Sequence, residues 1–175
     1  MLGPRPDDGR RLRTFRGVGA YDRRVRPSAL SVLCATALLL GLSGCGREEP
    51  AVLSPACREG SGPVLRALRR APSPVSLDGT PLSSCLRDAG DGGDLRDVGI
   101  GYLDAASTLA TAAEKDPRGR EALRLGYLIG AAHRGASSDQ GPASEMVRRL
   151  DNEATRADKG SAAFRRGERA GQRGG

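Results

Sequence analysis

The chain of 175 residues contains no tryptophan, two phenylalanines, three tyrosines, two methionines and one histidine. Each scarcity removes a class of function. The single histidine, His133, falls near the C-terminal end of a helical pattern, where a protonated imidazole is favoured without any catalytic role. No close cluster of Cys and His exists to hold a metal. No Gly-x-Ser-x-Gly elbow is present, and Ser83 and Ser84 have no base nearby in sequence. Glu114, Glu121 and Glu145 have no partner that the sequence nominates. The expectation is no catalytic residue, no metal and no cofactor. Basic segments interleaved with aromatics are also lacking, so nucleic acid is not an expected partner.

The charge itself is unevenly placed. Residues 1–44 hold 8 Lys+Arg and 3 Asp+Glu, while residues 45–175 hold 20 and 18. Most of the formal net charge of +7 therefore belongs to the first quarter of the chain. There, Arg23, Arg24 and Arg26 precede an apolar run over residues 29–40, and Leu42-Ser43-Gly44-Cys45 closes it. A positive segment, an apolar segment and then small residues is the order of an export signal. The arginines favour the cytoplasmic side of the bilayer. The apolar stretch falls short of the roughly 20 residues that span a bilayer as a stable helix.

With that ending, the segment resembles a bacterial lipoprotein signal peptide. The resemblance covers about residues 23–46. It implies cleavage before Cys45, recognition through Leu42, Ser43 and Gly44, and a diacylglycerol on the Cys45 thiol. It places the protein in the cell envelope, lipid-anchored to the outer face of the plasma membrane, or to the outer membrane in a cell with two. Gly46, rather than Asp, favours the outer one. The stretch before the signal is long, and Val18 and Val25 are candidate internal starts. An Arg-Arg export signal at Arg23-Arg24, an uncleaved anchor and a core helix are the alternatives.

Beyond Cys45, the remaining 131 residues can form one small domain. Tyr102, Tyr127 and Phe164 are its only aromatics, and alanine supplies much of the apolar surface. Alanine buries little area at about 25 cal/mol per Å². Cys57 and Cys85 form an even pair in an oxidising compartment, which points to a disulfide. Two free thiols are the alternative. Closing that loop stabilises by about 3.6 kcal/mol in the chain-entropy model.

Periodicity points to an all-α fold: a small three-helix bundle with one or two short N-terminal helices. The expected layout is a signal over 1–44, a lipidated tether over 45–62, a helical domain over 63–158 and a flexible basic tail over 159–175. Short helices are expected at 63–70 and 81–88. The first long helix covers 95–113, on the stripe Leu95, Val98, Tyr102, Ala105 or Ala106, Leu109 and Ala113. Asp116-Pro117 reads as a cap and first turn for a second helix reaching His133. The third runs over 142–158, with Met146, Val147, Leu150, Ala154 and Ala157 inward.

Three local features admit two readings each. The aspartates of residues 88–97 either cap the next helix, through Asp91 or Asp94, or bind calcium. Their spacing lacks the alternate oxygens and closing glutamate of a calcium loop. Gly101-Tyr102-Leu103 recurs as Gly126-Tyr127-Leu128, and folding the hairpin brings Gly101, Gly126 and Gly130 near one crossing point. The tyrosines either fill the core or line a groove for a sugar. Phe164 stands alone among Arg165, Arg166 and Arg169 in the tail. The function expected is a non-catalytic structural or protein-interaction module with an envelope protein as partner. A small-ligand or cell-wall-binding lipoprotein is the alternative.

Overall fold

The computed structural model describes residues 52–90, 92–136 and 141–175. Leu42, Ser43, Gly44 and Cys45 lie outside the described residues, as do Asp91 and most of the turn expected after His133. The regular structure among the described residues is helical apart from one minimal hairpin. In chain order they form α1 (Ser61–Ala67), β1 (Ser76–Leu77), β2 (Thr80–Pro81), α2 (Leu82–Asp88), α3 (Gly93–Lys115), α4 (Arg120–Gly135), α5 (Pro142–Glu153) and α6 (Ala162–Gly174). Single 3-10 turns sit at Pro55–Arg58, Leu68–Arg70 and Ala154–Arg156.

The long amphipathic helices follow their apolar stripes. Leu95, Val98, Tyr102, Ala105, Ala106, Leu109 and Ala113 are all buried on α3. On α5, Val147 and Leu150 face in, and the helix ends at Glu153, where a 3-10 turn carries Ala154 into the core. Helix α3 and helix α4 are joined by a four-residue link and form the expected hairpin.

The helix caps differ from expectation. The N-cap of α3 is Gly92, at φ 81°, and not an aspartate. A left-handed φ favours glycine over every other residue. Asp94 instead lies in the first turn and pairs with Arg58 at 3.0 Å. Asp116-Pro117 does not open α4 either. Asp116 ends α3, its carboxylate accepts the Arg118 N–H at 3.2 Å, and Gly119 becomes the N-cap of α4.

Two expected flexible segments are structured. Within the tether expected over 45–62, Leu53, Ala56 and Cys57 are buried and α1 begins at Ser61. In place of the flexible tail expected over 159–175, α6 occupies most of the segment and Phe164 is 1% exposed. Ser161 caps α6 by accepting the Phe164 N–H at 3.2 Å. The three expected long helices thus gain a fourth, and α4–α6 is the most extensive helix pairing. One core cluster runs from Leu53 to Ala170, within the unit Arg47–Gly175.

That pairing is built from absent side chains. A Cβ on Gly126 would lie 2.1 Å from the Phe164 carbonyl oxygen, and one on Gly130 2.1 Å from that of Glu168. From the other side, a Cβ on Gly167 would meet the Leu123 carbonyl oxygen at 1.9 Å, and one on Gly171 the Tyr127 oxygen at 2.1 Å. Contact positions rise together along both helices, so α4 and α6 run parallel. The geometry aims a Cα–H of each glycine at a partner carbonyl, a weak but repeated contact. Gly101 takes no part. A Cβ there would come 3.0 Å from the Gly60 backbone, so it seats α3 on the turn before α1. The expected three-glycine crossing is therefore replaced by a four-glycine one with a different partner.

Gly126→Ala and Gly130→Ala are each expected to lower stability by about 1–3 kcal/mol through overpacking against backbone. This occurs despite the gain of up to about 1 kcal/mol in helix propensity. Gly93→Ala, whose Cβ would meet nothing within 4 Å, should be neutral or stabilising. Denaturant unfolding measures all three. Equal, neutral effects would contradict the close contact.

Candidate functional site

The two tyrosines are core residues. Tyr102 and Tyr127 are both 0% exposed. The Tyr102 hydroxyl donates to the Leu82 carbonyl at 2.7 Å, and the Tyr127 hydroxyl accepts the Val75 N–H at 2.9 Å. Burial raises both phenol pKa values. Neither ring is available to stack on a ligand, so a groove lined by them does not exist. They fasten opposite ends of the segment that carries the β1–β2 hairpin. Its two-residue turn is Asp78-Gly79, with φ 45° and 84°, the left-handed pair such hairpins require. The Asp-Gly dipeptide was the sequence signal for this hairpin.

The same region is closed covalently. Cys57 and Cys85 form a disulfide, and both are buried. It ties the 3-10 turn before α1 to α2.

Groups with chemical potential do not converge. His133 lies in the last turn of α4, with Nε2 3.1 Å from the Asp151 carboxylate. Asp151 also meets Lys159 at 3.4 Å. Ser83 is buried, and its hydroxyl donates to the Gly175 carbonyl. Among the described residues, no hydrogen bond joins His133 to a serine, and no three Cys, His, Asp or Glu side chains gather as a metal site. Glu121 pairs with Arg124 at 2.7 Å. Glu145 accepts from Arg148 at 2.8 Å and Arg149 at 3.0 Å, and these hydrogen bonds hold its carboxyl down to about 2.

Several shallow grooves and one charged face remain among the described residues, and two of the grooves are mostly apolar and set between long helices. The first groove, of about 300 Å³, lies between α3 and α5 and is lined by Leu95, Arg96, Glu145, Met146 and Arg149. The second, of about 340 Å³, lies where α4 and α6 start side by side, over Leu123, Ala162 and Ala163, with Arg118, Arg120 and Arg166 at its edges. From there Arg165, Arg166, Arg169 and Arg173 occupy the exposed side of α6. These arginines were visible in the sequence as a tail; their ordering into one helix face was not. No helix among the described residues is long and apolar enough to cross a membrane. No known protein family, characterised protein or solved structure matches the chain.

Tyr102 and Tyr127 are the only tyrosines beyond Cys45, which makes their burial measurable. A raised folded-state pKa contributes stability below the ordinary phenol value of about 10, and that stability is lost as pH rises beyond it. In alkaline titration of the unit starting at Cys45, phenolate absorbance should appear only together with loss of the helical circular dichroism. Phenolate forming while the helices persist would contradict their burial.

Proposed function

We propose that the protein is a lipid-anchored cell-envelope lipoprotein whose folded part is a non-catalytic structural or protein-interaction module. The observation that carries this is a pairing of two features. A lipoprotein-like signal ends at Cys45, and the domain behind it holds a buried disulfide. Disulfides persist in oxidising compartments outside the cytoplasm, so the cross-link fits the route that the signal encodes. The small core supports the same reading, because a domain rich in alanine and glycine gains much from one covalent tie. Loss of the disulfide, as in Cys57→Ser with Cys85→Ser, would destabilise by about 3.6 kcal/mol in the chain-entropy model.

A non-catalytic role is supported by the scatter of the reactive groups. His133, Ser83 and Glu145 sit on separate elements with separate partners. The binding of a small ligand or cell-wall fragment, the second reading, no longer has the tyrosines to stand on and rests on shallow grooves such as the one between α3 and α5. An envelope protein remains the partner proposed for the module.

The test is the intact mass of the protein extracted from membranes without reductant. A chain beginning at Cys45 with added acyl mass, two hydrogens lighter than its reduced form, is the expected result. An uncut, unacylated chain would overturn the anchor.

A further inference from the structure

We propose that the outer face of α6 docks the domain onto an anionic phospholipid surface. The inference rests on the lipid-anchor reading for its setting, and on the charge of the fold for its content.

The excess positive charge of the domain is concentrated in this one helix. Residues 45–161 carry 16 Lys+Arg and 17 Asp+Glu, whereas residues 162–175 carry 4 and 1. Without α6 the domain is slightly acidic. All four arginines are exposed, while Phe164, Gly167, Ala170 and Gly171 turn inward. The glycine contact with α4 therefore fixes the arginines on one side and holds them in a rigid array.

Those arginines are also unmatched. On other elements, Arg58, Arg87, Arg124, Arg148, Arg149 and Arg156 each reach a carboxylate, and unpaired arginines such as Arg69, Arg70 and Arg96 are not gathered on one helix face. Among the described residues, no ion pair includes Arg165, Arg166, Arg169 or Arg173. Glu168 is the one acid on the helix, half-buried and outside every ion pair. Arg118 and Arg120 extend the positive surface around the start of α4. An unpaired basic helix face attracts anionic lipid, at about fivefold in affinity per arginine near the surface.

Chain length brings the two together. From Cys45 to Leu53, the first buried residue among the described ones, the chain spans at most about 30 Å. That is comparable with the width of a domain of this size. A lipid on Cys45 would keep the domain within about its own diameter of the bilayer. The arginine face would then decide which side of the domain rests on it, leaving the opposite surfaces open to a protein partner.

The test uses the unit from Gly46 to Gly175, oxidised and without lipid, sedimented with vesicles. It should bind phosphatidylglycerol vesicles and not phosphatidylcholine vesicles, and binding should weaken with salt. The triple variant Arg165→Gln, Arg166→Gln, Arg169→Gln should lose about a hundredfold in affinity. The control triple Arg69→Gln, Arg70→Gln, Arg96→Gln removes the same charge from exposed, unpaired positions on other elements and should stay close to the parent. Equal losses in both triples would overturn the proposal, since net charge alone would then explain binding. Equal binding to phosphatidylcholine would overturn it, as would displacement by low concentrations of soluble glycerol phosphate, the mark of a discrete anion site. Failure of the anchor would appear separately, as an unacylated Cys45 in the intact mass.

Discussion

The close parallel contact between α4 and α6 is the constraint on which the rest of this structure depends. Gly126 and Gly130 on one helix meet Gly167 and Gly171 on the other, with backbone against backbone. A domain with three aromatic side chains beyond Cys45 cannot fill a wide gap between helices. It fills a narrow one by removing side chains at the contact. The consequence is that α4 is buried on all sides, without interruption over residues 125–132. Around it α2, α3 and α5 can then pack with small residues, and Phe164 supplies the one large ring that α6 contributes.

This explains what the sequence disclosed and what it hid. The stripe of α3 was legible because Leu95, Val98, Tyr102 and Leu109 are large and recur at helical spacing. The end of the chain looked unstructured because its contact residues are glycines, which carry no apolar signal and disfavour helix on their own. The informative pattern was the pairing of Gly126-x-x-x-Gly130 with Gly167-x-x-x-Gly171. The first of these reads as a site of close approach, but its partner is α6 and not α3, the nearest helix in sequence. The helix caps depart from the sequence pattern for a related reason. Aspartate is a good N-cap in general, but the turns before α3 and α4 end on glycine, and the acids nearby took other partners. The early flexible tether was overextended because Leu53, Ala56 and Cys57 are too sparse to show a period.

The region before α3 has a different logic. It has short helices and a two-residue hairpin turn, and directional ties reinforce its buried Leu and Val side chains. The disulfide fixes the turn before α1 to α2. The two tyrosine hydroxyls hold backbone groups at Val75 and Leu82. The repeat around the tyrosines thus gains a physical meaning: equivalent residues on α3 and α4 grip two ends of one segment. Their chemistry is spent on structure, so of the two readings of the tyrosines core filling holds and the ligand groove fails. The surfaces left for function are shallow grooves and exposed polar faces, and the most distinctive is the basic side of α6, itself a product of the glycine contact on the opposite side.

Amide hydrogen exchange, resolved along the chain in the unit from Gly46 to Gly175, tests this account most directly. If α4 and α6 form one backbone-to-backbone unit, the amides of α6 exchange as slowly as those of α4 and open with them, as members of one cooperative unit. Rapid exchange across α6, with α4 still protected, would contradict it. The C-terminal arginines would then belong to a loose tail, and the central contact would not exist.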